Sequence, residues 1–241
     1  MENKHHNLSN NYHNLLMALD LSFSSTGVFC SIFNHQGIVD NVSFHKIVEG
    51  SKPRREPINL DIRCYQTPQL IGGCVFIPDN NQISIEQIQT TTRAMSCART
   101  ILSVLEDYIS INPNINDLYL IIENYIMPSF GGKNQLKTVG GLIMLNGFVR
   151  ERIIKYCMDR DIIVHILTPT PSTIKKFFTG NGSAIKDDMV RASIELFDIN
   201  KLLPDLTTNH LDIAFFNDVI DAFAMGVYIF KSYISQIQLN Q

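Results

Sequence analysis

Apolar residues recur along this chain in runs and steps that predict most of its elements. A run of strand length, Leu15 to Leu21, carries one acid near its end, Asp20, and dissolves into small hydroxyl residues and Gly27. A second strand is predicted over Gly27 to Phe33, with His35, Gln36 and Gly37 as the turn into a third near Ile38 to Val48. Strands joined this way make an antiparallel meander. Residues 49–82 break the pattern: Ser51 to Pro57 is a loop of clustered charge, and Cys64 to Ile77 suits two short strands around Gly72 and Gly73. The stretch is too short for its own core, so it reads as an insertion or extended edge after the third strand.

Ile85, Ile88, Met95, Leu102, Leu105 and Ile109 then recur at helical steps, predicting an amphipathic helix over Ser84 to Ile109 with Ser84 as its cap and Asn112-Pro113 as its stop. Leu118 to Ile122 is a short strand that again runs into an acid, Glu123. A helix from Gln135 to Cys157 carries Gly140, Gly141 and Gly147. Each glycine costs ~1 kcal/mol in a helix interior, which predicts close approach by another backbone, such as a second subunit's. A strand over Ile162 to Leu167 and a short helix opened by Thr170-Pro171 and ending at Phe178 follow. Thr179 to Ser183 reads as a mobile loop, Ala184 to Phe197 as a helix, 198–209 as irregular, and Asn217 to Ile234 as the last helix. Residues 1–14 form a flexible tail, and 15–241 a single α/β domain: a mixed five-stranded sheet flanked by helices.

Composition narrows the class. Of the 241 residues 45% are apolar and 18% charged, enough for a sizeable core. No apolar run approaches the ~20 residues of a membrane span, and the polar segment Met1 to Asn14 has no signal-peptide pattern. A cytoplasmic protein, in a bacterial or viral setting, is expected. The five cysteines are scattered with no C-x₂-C pair, as reduced buried thiols are. His5, His6 and His13 belong to a polar tail rather than a metal site. A net charge of −3 argues against a nucleic-acid binder, but its distribution does not. Half of the 20 Lys and Arg lie between Lys133 and Arg191, among only five acids. Such a stripe can track phosphates, although ordinary solvated helix faces would look the same.

Four acids fall where the predicted elements end. Asp20 and Glu123 close strands that would be neighbours, so both can enter one crevice at the carboxyl ends of the sheet. Asp218 and Asp221, three apart, share one face of the last helix. Crowded carboxylates raise each other's pKa unless cations sit between them, and oxygen ligands without His or Cys favour magnesium or manganese. Taken singly, Asp218 or Asp221 could be a helix N-terminal charge, and Glu123 a solvated strand end.

The motifs resemble those of the RuvC-type Holliday-junction resolvases, within the ribonuclease H-like superfamily. Ala18-Leu-Asp20-Leu-Ser-Phe-Ser-Ser-Thr-Gly27 is similar to that family's first acid and its Ser/Thr-Gly turn, and Ile121-Ile-Glu123-Asn to its second acid motif. Lys137-Thr-Val-Gly-Gly141 resembles the start of its glycine-bearing helix. The segment Ile174 to Lys186 resembles its basic motif, and Asn217-Asp218-Val-Ile-Asp221-Ala-Phe-Ala its final acid pair. The resemblance implies a ribonuclease H-like fold and a homodimer, paired through the glycine-bearing helix, that cuts four-way or other branched DNA by paired symmetric nicks. It implies Asp20, Glu123, Asp218 and Asp221 as catalytic ligands of two Mg²⁺ ions per site, with Mn²⁺ able to substitute. Lys186 would neutralise the scissile phosphate. DNA contacts would come from Lys175, Lys176, Lys133, Lys137 and Arg191, with Tyr125 as a candidate wedge. Three other readings stay open: a ribonuclease H-like nuclease acting on flap DNA or RNA–DNA hybrid, a phosphate-binding fold of the sugar-kinase and actin kind, and a non-catalytic nucleic-acid module.

Overall fold

The computed structural model describes residues 13–51, 60–66, 85–124, 133–197 and 210–234. In chain order the elements are β1 (His13–Asp20), β2 (Ser25–Asn34), β3 (Val39–Glu49), β4 (Asp61–Tyr65), α1 (Ile85–Ile111), β5 (Ile115–Ile122), α2 (Lys133–Met158), β6 (Ile163–Leu167), α3 (Pro171–Thr179), α4 (Lys186–Phe197) and α5 (His210–Ile229). A π-helical turn, Phe230–Ile234, closes the described chain.

β1, β2 and β3 form the expected antiparallel meander, and β5 and β6 add to β1 in parallel. Among the described residues the sheet has six strands, in the order β4-β3-β2-β1-β5-β6, against the five expected. The sixth is β4, parallel to β3 at the edge and inside the stretch read as an insertion or extended edge. Arg63 of β4 ties it to α1 through Asp107. The strands expected around Gly72, the Ser84 cap, the irregular 198–209 and the tail up to Tyr12 lie outside the described residues.

β1 is apolar on both faces because both faces are covered. Leu15, Met17 and Leu19 pack under α1 and α2, whereas Leu16 and Ala18 pack under α3, α4 and α5. By the same alternation, Asp20 follows Leu16 and Ala18 onto the second face, and Glu123 follows Ile121. Phe29 and Phe44 mark that face on β2 and β3. Ser25, Gly27 and Lys46, spaced by two from them, therefore belong to it as well.

Several expectations change. Met95 is 38% exposed; Leu105 and Ile109 are buried as expected, but the stripe of α1 continues through Ile101, Ala98, Cys97 and Ala94, the last three being small residues that admit the sheet closely. The last helix begins seven residues before Asn217, so Asp218 and Asp221 sit in its middle, not at its N-terminus. The loop after α3 is a closed turn: Gly180 caps the helix with a left-handed backbone, and the Ser183 N–H donates to Asn181 Oδ1 at 3.0 Å. Of the helix glycines, Gly141 meets the Phe23 ring 2.8 Å from where a Cβ would stand, while Gly140 and Gly147 face open space among the described residues.

Candidate active site

Register brings the first two acids together. Leu19 pairs with Ile122 across the parallel β1–β5 ladder, so the next residues, Asp20 and Glu123, emerge side by side at the carboxyl ends of both strands. α5 crosses over this point. It can do so because Gly27 has no side chain: a Cβ there would stand 2.0 Å from the Asp218 carbonyl oxygen and 2.6 Å from the Val219 nitrogen. One helical turn further on, Asp221 reaches the same crevice.

The crevice is a cavity of about 270 Å³ lined by Asp20, Glu123 and Asp221, by Lys175 of α3 and Lys186 of α4, and by an apolar wall that includes Ile174, Met189 and Met225. Burial, then the charges of Asp221, Glu123 and Asp218, hold the Asp20 carboxyl well above the usual carboxylate range, with Lys186 pulling the other way. Glu123 is raised by burial and by Asp221, eased by Lys175 and Lys186. Burial pushes Asp221 up to about 6 despite Lys186, whose Nζ lies 3.9 Å from Asp221 Oδ2.

Asp218 is placed differently. It does not line the cavity; its Oδ1 accepts from Lys46 Nζ at 2.8 Å, and its Oδ2 accepts from the Ser25 hydroxyl. Lys46 is buried, lies on β3 directly opposite Gly27, and is a site residue that sequence reasoning misses. A signal is present: Phe44, Lys46 and Val48 alternate on one face, so a lysine occupies a position the strand pattern reserves for an apolar side chain.

Among the remaining predicted residues, Lys176 is exposed on α3, and Arg191 turns to Asp188 at 3.2 Å on the surface of α4. Tyr125 lies outside the described residues, as do the side chains of Lys133 and Lys137, although both lysines belong to α2.

Among the described residues, no group of three or more His, Cys, Asp or Glu stands as a ready-made cage around one point. The donor chemistry nevertheless suits a hard cation. Asp20, Glu123 and Asp221 share one cavity and offer only oxygen, and burial first, then their mutual charge, disfavours their ionised forms when no cation sits between them.

No protein-family model matches the chain, and no curated protein matches its sequence. Solved structures similar to it include Thermus thermophilus RuvC in complex with a Holliday junction substrate, at 10% identity and a TM-score of 0.45 over 93% of this chain and 97% of that one. The yeast mitochondrial Holliday junction resolvase Ydc2 is similar at 11% identity and 0.45, over 93% of this chain and 80% of that one. A Mn-soaked human cytomegalovirus terminase nuclease domain gives 13% identity and 0.38, over 94% and 86%.

Proposed function

We propose that the chain is a divalent-metal-dependent endonuclease that hydrolyses phosphodiester bonds in branched DNA, four-way junctions first among them. One observation carries this reading: three carboxylates from β1, the end of β5 and α5 meet two lysines in a single cavity at the carboxyl edge of the sheet. Asp20, Glu123 and Asp221 would hold Mg²⁺, with Mn²⁺ as substitute. Held by these carboxylates, the ion would supply activation of an attacking water and charge stabilisation of the leaving oxygen. Lys186, at the mouth, neutralises a scissile phosphate, and Lys175 grips a neighbouring one. The apolar wall formed by Ile174, Met189 and Met225 limits water on that side of the cavity, which strengthens each of these charge contacts.

Paired symmetric nicks require two such sites. We assign the homodimer contact to α2, where Gly140 and Gly147 lack any neighbour that a Cβ would meet among the described residues and Ile143 between them is 45% exposed.

The test is digestion of a labelled immobile four-way junction in Mg²⁺ beside duplex, flap and RNA–DNA hybrid substrates. Two symmetric nicks in the junction are expected. Asp20→Asn should bind the junction as before and cut it at least about 100-fold more slowly. Wild-type cutting by that variant refutes the assignment. Preferential cutting of flap or hybrid moves the substrate to the other ribonuclease H-like reading.

A further inference from the structure

The fourth acid already has a cation of its own. Lys46 and Asp218 form a buried pair, 6% and 9% exposed, on the sheet face under α5. Their meeting follows from the backbone. The β2–β3 register sets Lys46 opposite Gly27, and the bare Gly27 lets the Asp218 turn of α5 rest on β2. The Lys46 ammonium thus comes up beside Asp218, and the Ser25 hydroxyl, two residues before Gly27, takes the other carboxylate oxygen.

We infer that the Lys46 ammonium occupies the place beside Asp218 that a second divalent ion would take, so that the chain binds one divalent cation, on Asp20, Glu123 and Asp221. This rests on the metal-dependent reading above. Turning Asp218 toward a second ion would break a buried ion pair and set the Lys46 ammonium beside a dication of the same sign. The charges agree. Four carboxylates and the ammonium groups of Lys46, Lys175 and Lys186 leave a formal charge of about −1, far short of what two divalent ions would need. Asp218 is then a positioning residue: it joins α5 to β2 and β3 and so holds Asp221 over Asp20.

Counting bound Mn²⁺ per chain by electron paramagnetic resonance, at neutral pH and without DNA, tests this directly. Wild type should bind one ion. Lys46→Met should bind a second, because it frees a buried carboxylate beside the first. The paired change Lys46→Met with Asp218→Leu removes both charges, avoids an orphaned ion if the single variant fails to fold, and should return the count to one. Two ions on wild type, or a count that stays at one in a folded Lys46→Met, overturns the inference while leaving the metal-dependent reading intact. No Mn²⁺ on wild type overturns that reading and this one with it.

Discussion

Gly27 is the residue on which the site's geometry turns. Its missing Cβ is filled by the backbone of Asp218 and Val219, which cannot swing aside as a flexible side chain would. Gly27→Ala should therefore lower unfolding free energy by about 3 kcal/mol or more, read from urea melts. The three cavity acids set a second expectation. For an acid whose folded pKa lies above its unfolded value, the folded state holds more protons in between, so stability falls as pH rises through that window. With Asp221 raised from 3.8 to about 6, and Asp20 and Glu123 raised as well, the metal-free protein should lose stability between about pH 4 and pH 6. Saturating Mg²⁺ should restore roughly 5 °C of melting temperature at neutral pH and far less near pH 5, where protons hold the same oxygens. A Mg²⁺ shift equal at both pH values contradicts it. Asp61 behaves in the opposite sense. The His45 hydrogen bond and Arg63 hold it at about 2, so its contribution persists until pH falls below the ordinary carboxylate range.

At the scale of elements, α3 and α4 bring the basic groups to the cavity. Thr170 caps α3, accepting from the Thr173 N–H, with Pro171 in the first turn, and Ile174 and Phe178 anchor the helix in the second core. Lys175 then faces the cavity while Lys176 faces solvent. Lys186 enters from the first turn of α4. If these three meet phosphates, neutralising them together should flatten the salt dependence of junction binding by roughly 0.9 in log–log slope for each phosphate that a lysine no longer pairs. An unchanged slope places them on an idle surface. Arg191 should contribute less, being engaged with Asp188.

For the whole molecule, the proposed pairing through α2 makes a prediction that activity assays do not reach. The chain should sediment with the mass of two subunits, and Gly147→Lys should return it to one without lowering its melting temperature, since nothing among the described residues fills that space. A monomeric wild type, or a dimer indifferent to this change, removes the interface. Much of the architecture is legible in one dimension. A strand buried on both faces must read as an apolar run, as Leu15 to Leu19 of β1 and Leu118 to Ile122 of β5 do; a lone acid at the end of such a run has few packing roles, which is why Asp20 and Glu123 stand out. Hairpin lengths and the Thr170-Pro171 cap are local, and local sequence settles them. Periodicity puts Met95 in the stripe of α1 because it weighs size, whereas the sheet admits Ala94, Cys97 and Ala98. The pairing of Lys46 with Asp218, 172 residues apart, and the exclusion of Asp218 from the cavity have no local signature. Sequence by itself determined most of the strands and helices and that Asp20 and Glu123 close two of the strands, because backbone propensity and apolar alternation act over a few residues. Which acids share a cavity, and which one is claimed by a lysine instead, was decided only by tertiary structure, because strand register and the bare backbone at Gly27 set those distances.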